Sequence, residues 1–179
     1  MEKALVFGAG LSGLGAKELL EKKGIKTAVV GHDKFKNNVS ESDAKAIIEV
    51  RVPAQVDDAA GKTEASTVLE KSDTVAIYGS NEFAAKAIIN ANGSFKESKL
   101  GADKILAVGF DSGALQQDAI RNGLFVGSVT QDPIQIGYQS VKLAIEAAQG
   151  KEVKDVDTGS KWYDAKNIDS DEIKPLLYQ

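Results

Sequence analysis

Hydrophobic residues along this chain fall into short runs that are separated by amphipathic stretches. Several runs are continuously apolar and rich in β-branched residues, a pattern typical of strands that are buried on both faces. The apolar runs predict strands at residues 3–8, 27–30, 49–52, 74–78, 105–110 and 124–129. The amphipathic stretches between them predict helices at residues 12–23, 41–48, 59–71, 82–91, 113–122 and 134–149.

This alternation of strand and helix predicts a doubly wound α/β fold with three layers and a mostly parallel sheet. The length of 179 residues suits a single α/β domain over residues 1–179. Toward the end of the chain, residues 151–165 predict an edge strand with a turn, and residues 171–177 predict a last helical turn.

The composition argues against several classes of protein. The net charge is −4, and the sequence contains no run of Lys or Arg, so no nucleic-acid surface is predicted. With no cysteine and one histidine, the chain offers neither a thiolate nucleophile nor the usual ligands of a transition-metal site. No apolar run approaches the ~18–20 residues of a membrane span, and the first residues lack a secretory pattern, which predicts a cytoplasmic protein.

A glycine-rich turn follows the first predicted strand and opens the first predicted helix. Gly8, Gly10 and Gly13 fit the pattern G-x-G-x-x-G, in which the glycines allow a tight turn, approach of a phosphate, and close helix packing. Asp33 lies about where such sites place a carboxylate on the ribose. These four residues are candidate contacts to a nucleotide or phosphate-containing anion. Alternatively, the glycines serve packing alone and Asp33 is an ordinary loop acid.

The segment KALVFGAGLSGLGAKELLEKKG, residues 3–24, is similar to the N-terminus of the Mur ligases. This resemblance implies a Rossmann-like βαβ unit over residues 1–35, whose glycine turn would hold the uracil nucleotide end of a substrate. Mur ligases also need an ATP-binding loop of the type G-x-x-G-K-[ST], and the sequence contains none. Ligase chemistry is therefore excluded, and no cofactor is predicted.

The rest of the chain, residues 49–179, resembles the C-terminal lobe of the type I periplasmic sugar-binding proteins, which are related to LacI-type repressors. The segments that carry this resemblance are TVAIYGSNEFAAKAI, ILAVGFDSGALQQDAIRNGLFVGSVTQDPIQIGYQSVKLAIEA and DTGSKWYDAKNIDSDEIKPLLYQ. The resemblance implies that Asn81, Asp111 and Gln131 contact sugar hydroxyls.

The positions of these three residues agree with that role. Each is predicted at the carboxyl end of a parallel strand, where open α/β sheets bind ligands, and amide and carboxylate groups suit the mixed polarity of hydroxyls. Phe83 or Phe110 could present an apolar face to a sugar ring. Alternatively, Asn81 and Asp111 cap the helices that follow them.

Together, the two resemblances predict a recombined or engineered hybrid that has no catalytic activity and carries two incomplete sites, one for phosphate and one for sugar. Receptors of the second family enclose the sugar between two lobes, and this chain is short for both, so binding would be weak. Two alternatives remain open: the carbohydrate-binding lobe of an ABC-transporter solute receptor, and a small NAD- or UDP-binding Rossmann-like protein. Surface that a missing lobe leaves uncovered would allow a homodimer.

Overall fold

A computed structural model of the chain describes residues 3–7, 26–30 and 51–178. The first two segments are strands β1 (Lys3–Phe7) and β2 (Lys26–Val30), which pair in parallel. The further elements, in chain order, are α1 (Asp58–Leu69), β3 (Ala76–Tyr78), α2 (Glu82–Asn92), β4 (Leu106–Phe110), α3 (Ala114–Arg121), β5 (Phe125–Gln131), α4 (Pro133–Ala148), β6 (Ser160–Tyr163) and a 3-10 turn (Lys174–Leu176).

The larger sheet has the strand order β3-β4-β5-β6. Strands β3, β4 and β5 run in parallel, and β6 pairs with β5 in the antiparallel direction. Strand β1 also lies against β3. This mostly parallel sheet with flanking helices confirms the predicted fold class. It also brings the ends of β3, β4 and β5 to one side of the sheet, which we call the carboxyl edge.

Small residues let the helices approach the sheet closely. Ala85, Ala91 and Ala107 are each 0% exposed within the main hydrophobic core. Gly79 also makes a close contact, because a Cβ atom added there would lie 2.6 Å from the backbone nitrogen of Ala85. The absence of a side chain at Gly79 therefore lets the first turn of α2 sit directly over the end of β3.

The predicted strand at 49–52 is wrong at residues 51 and 52. Arg51 and Val52 are not in a strand, and Val52 is 76% exposed, so its apolar side chain is not buried in a sheet. Residues 49–50 and the predicted helices at 12–23 and 41–48 lie outside the described residues. The edge strand predicted within residues 151–165 is confirmed only over residues 160–163, as β6, since residues 151–159 are not in a strand.

Helix α4 differs from the other helices because none of its residues is buried. Its apolar side chains recur at intervals of three and four residues, which places them on one face of the helix. They form a line that we call the α4 stripe, and each member is between 53% and 63% exposed: Ile134, Tyr138, Val141 and Ile145. Residues 149–157, which follow the helix, are exposed as well.

Candidate functional site

Asn81 begins helix α2 just beyond the end of β3. Its side-chain Oδ1 accepts a hydrogen bond from the backbone N–H of Ala84 at 2.9 Å, so the predicted capping role is confirmed. The side chain is exposed. Because the cap uses only the amide oxygen, the Nδ2 group is left to donate hydrogen bonds outward.

Asp111 follows β4 and has a φ of 76°, the only positive φ of a non-glycine residue among those the structure describes. Such a conformation costs of order 1–3 kcal/mol and persists only where the surroundings hold it. Its N–H donates to the carbonyl of Val129 at 2.8 Å. Its own carbonyl accepts from the Ser128 hydroxyl at 2.9 Å and from the Tyr163 hydroxyl at 2.8 Å. The next two strands of the sheet, β5 and β6, therefore hold the backbone of Asp111 in place.

The carboxylate of Asp111 points to a different helix from the one predicted. Its Oδ2 accepts from the backbone N–H of Glu82 at 3.0 Å, so it caps α2. Helix α3, which follows Asp111 in sequence, is capped by Gly113 without any side-chain hydrogen bond. The prediction that Asp111 caps its own following helix is wrong. The contact instead brings Asn81 and Asp111 together at the N-terminus of α2.

Gln131 is the last residue of β5 rather than a residue beyond it. Its side chain is exposed, whereas the preceding Thr130 is fully buried. Since β5 is the neighbour of β4, the three predicted sugar contacts lie at the ends of three adjacent parallel strands. Direct contact of these residues with a sugar stays a prediction.

Neither predicted phenylalanine presents an open ring at this edge. Phe110 is only 6% exposed. The ring of Phe83 packs against α1, where a Cβ atom added to Gly61 would lie 2.9 Å from the ring atom Cζ. Two tyrosines for which no role was predicted lie close enough to Asp111 for its charge to act on them, Tyr78 and Tyr178.

The tyrosines around Asp111 have raised pKa values. Burial, with a smaller contribution from the charge of Asp111, raises the pKa of Tyr78 to about 12. Burial is also the largest cause that raises the pKa of Tyr163 and Tyr178. All three hydroxyls therefore stay protonated at neutral pH, and they can donate hydrogen bonds next to a carboxylate.

Gln116 adds a buried amide beneath this edge. Its Nε2 donates to the carbonyl of Phe110 at 2.8 Å, and the whole residue is 0% exposed. Its Oε1 has no hydrogen-bond partner within the described part of the chain. Gly109 packs against the Gln116 amide, since a Cβ atom at Gly109 would lie 2.7 Å from Nε2. This contact fixes the start of α3 against β4.

The other predicted site residues belong to the predicted glycine-rich turn and the segment after β2. Gly8, Gly10, Gly13 and Asp33 all lie outside the described residues, so the nucleotide or phosphate turn stays a prediction. Within residues 51–178, no group of three or more acidic, histidine or cysteine side chains is arranged to hold a metal ion. No helix in the described segments is both long and apolar enough to cross a membrane.

Comparison with known proteins identifies the family. Residues 22–152 match the periplasmic binding protein domain. The chain belongs to this family. No curated protein sequence matches the chain.

Solved structures match nearly the whole chain. A protein described as an ABC transporter, LacI family transcriptional regulator from Brachyspira murdochii is 33% identical, with a TM-score of 0.66 over 99% of this chain and 56% of that one. An ABC transporter solute-binding protein from Agrobacterium vitis with bound D-fucose is 23% identical, with a TM-score of 0.68 over 99% and 56%. A carbohydrate transporter solute-binding protein from Agrobacterium radiobacter in complex with D-arabinose is 19% identical, with a TM-score of 0.65 over 99% and 55%.

These matches revise the view of the chain as a hybrid. The family match begins at residue 22, inside the predicted Rossmann-like unit 1–35, and receptor-type structures align with 99% of the chain. Nothing in the comparisons supports the Mur ligase resemblance or a recombined origin. The predicted receptor resemblance is confirmed at the level of the family. The chain spans only about 56% of the Brachyspira murdochii and Agrobacterium vitis proteins that it matches.

Proposed function

We propose that this chain is the sugar-binding lobe of a solute receptor and that Asn81, Asp111 and Gln131 hold a monosaccharide at the carboxyl edge. The observation that carries the proposal is that both Asn81 and Asp111 cap the N-terminus of α2. Asp111 accepts from the backbone N–H of Glu82, and Asn81 accepts from that of Ala84. Support also comes from two matched solute-binding proteins, which contain D-fucose and D-arabinose.

The three side chains offer complementary hydrogen-bonding groups. Asn81 donates through Nδ2, because its Oδ1 is used in the cap. Asp111 accepts through Oδ1, because its Oδ2 already accepts from Glu82. Gln131 can do both. A sugar hydroxyl donates once and accepts as well, so it can bridge Asn81 and Asp111, and bonds to the charged carboxylate are the stronger ones.

A second lobe would complete this site. The matched Agrobacterium vitis protein extends well beyond the part that this chain covers, and a sugar bound at one edge alone keeps much of its surface in water. We therefore expect weak, millimolar affinity from this chain alone. The family's periplasmic setting favours a location outside the cytoplasm over the predicted cytoplasmic one.

Calorimetric titration with D-fucose and D-arabinose tests this proposal. We expect Asp111→Asn to weaken binding by about tenfold or more, the loss expected when a charged hydrogen-bond acceptor is removed. Asparagine tolerates a positive φ and can still cap α2, so the fold should survive. Gln149→Ala is the control, because Gln149 is exposed at the end of α4. Absence of binding by the unmodified chain at tens of millimolar sugar would refute the proposal.

A further inference from the structure

Residues 174–178 lie across the carboxyl edge and are held there by buried hydroxyl groups. The carbonyl oxygen of Leu176 lies 3.3 Å from the Ser112 hydroxyl and 3.3 Å from the Thr130 hydroxyl, and each can donate to it. The two hydroxyls lie 3.2 Å apart, and both residues are 0% exposed. The segment therefore ties the end of β4 to the end of β5.

Tyr178 extends this contact to the two neighbouring helices. Its carbonyl accepts from the Nε2 group of Gln117 at 2.9 Å, and the same group donates to the carbonyl of Ser112 at 2.7 Å. Its hydroxyl donates to the Oε2 atom of Glu82 at 3.4 Å. Burial, with the nearby charges of Asp111 and Glu82, raises the pKa of Tyr178, so the hydroxyl remains a donor at neutral pH.

Each strand end that carries a predicted sugar contact also carries an anchor for this segment, and the anchor is the adjacent residue in sequence. Glu82 follows Asn81, Ser112 follows Asp111, and Thr130 precedes Gln131.

Glu82 connects the two sets of contacts directly. Its backbone N–H donates to Asp111 Oδ2, and its carboxylate accepts from the Tyr178 hydroxyl. Any shift of residues 174–178 therefore acts on the N-terminus of α2, where Asn81 and Asp111 meet. A merely space-filling segment would not need hydrogen bonds to all three strand ends.

We propose that residues 174–178 are a positioning element for the sugar site, which holds Asn81, Asp111 and Gln131 in their binding arrangement. The inference rests on the proposed function. Because coupling between two binding events is reciprocal, a sugar that binds this arrangement should also hold residues 174–178 more firmly in place.

The first test is calorimetric titration of two variants with D-fucose and D-arabinose. Tyr178→Phe removes only the hydroxyl that donates to Glu82, and Thr130→Val removes one donor to Leu176. We expect each to weaken sugar binding about three- to tenfold, the usual effect of losing one hydrogen bond. The matched controls are Tyr138→Phe on the exposed α4 stripe and Thr67→Val on the exposed side of α1, which should leave the Kd unchanged.

The second test is hydrogen exchange of the amides in residues 174–178. Saturating sugar should slow their exchange in the unmodified chain, and it should slow it less in Tyr178→Phe. A purely structural role would lower the melting temperature of both variants while leaving the Kd and the sugar-dependent protection unchanged.

The outcomes separate the two proposals. If the unmodified chain binds sugar and both variants bind it equally well, with equal protection of residues 174–178, the positioning role is overturned and the proposed function stands. If the unmodified chain binds neither sugar, the proposed function fails and the positioning role fails with it.

Discussion

The carboxyl edge and helix α4 distribute polar and apolar groups in opposite ways. At the carboxyl edge, four polar residues are 0% exposed: Ser112, Gln116, Ser128 and Thr130. On α4, the apolar side chains of the α4 stripe are more than half exposed. The first region buries groups that prefer water, and the second exposes groups that avoid it.

This difference separates a region that is ordered by internal hydrogen bonds from one whose apolar side chains are exposed. Buried polar groups are costly unless they are hydrogen-bonded, and hydrogen bonds between them favour one arrangement. At the carboxyl edge, hydrogen bonds from Ser128 and Tyr163 to the Asp111 carbonyl hold this residue in its unusual conformation. An exposed apolar row has no such internal order and is typical of a surface that contacts another unit.

The largest expected difference comes from the same substitution made in both regions. Gly79→Ala should lower the free energy of unfolding by about 1–3 kcal/mol, because the new methyl group overlaps the backbone of α2. Gly137→Ala on α4 has open space around it and should raise the free energy of unfolding by about 0.5–1 kcal/mol, because alanine favours helix. Urea unfolding of both variants checks this, and equal shifts would contradict the packing described for β3 and α2.

A smaller difference is expected between two tyrosines. Tyr163→Phe removes a donor to the Asp111 carbonyl and should cost about 1 kcal/mol of stability, whereas Tyr138→Phe should change it by less than about 0.5 kcal/mol. Chemical denaturation measures both values. Equal stability of the two variants would show that the network does not hold Asp111.

High pH should lower the free energy of unfolding through Tyr78, the last residue of β3 at the carboxyl edge. The pKa of Tyr78 is raised to about 12 from its usual 10.0, so its contribution to stability is complete below pH 10 and is lost as the pH rises toward 12. One such group lowers the free energy of unfolding by about 1 kcal/mol at pH 11. Between pH 9 and pH 11, the free energy of unfolding should fall less steeply with pH in Tyr78→Phe than in the unmodified chain. Identical slopes would contradict the burial of this hydroxyl.

The smallest effect is expected on the α4 stripe. Val141→Ser and Ile145→Ser should each change the free energy of unfolding by less than about 0.5 kcal/mol, because both side chains are largely exposed. Calorimetric melting of the two variants provides the value. A loss of about 2 kcal/mol or more would show that the stripe is covered in the folded chain or between two copies of it.

Much of the fold could be predicted because it depends on local patterns. Continuous apolar runs predict parallel strands, and the capping role of Asn81 follows from its position just before a helical stretch. The start of α4 can likewise be predicted from the local sequence, because proline is favoured at the first position of a helix and Pro133 occupies it.

The candidate site could be predicted only in part, because its contacts join distant residues. Asp111 caps a helix that begins 29 residues earlier, and Tyr178 contacts Glu82 across 96 residues. Neither pairing follows from sequence spacing, since both depend on which strands are neighbours. A short glycine-rich segment does not mark a separate origin, because glycine turns between a strand and a helix recur in many α/β proteins and the family match extends back to residue 22.

The most direct measurement is a chemical-shift titration of the 15N-labelled chain with D-fucose. The account predicts that the largest shifts fall on the backbone amides of Asn81, Asp111 and Gln131 and on residues 174–178, while the amides of the α4 stripe stay unchanged. If the shifts were concentrated on α4, or if the amides of the carboxyl edge did not shift at saturating sugar, the claim that this edge is the ligand site would be contradicted.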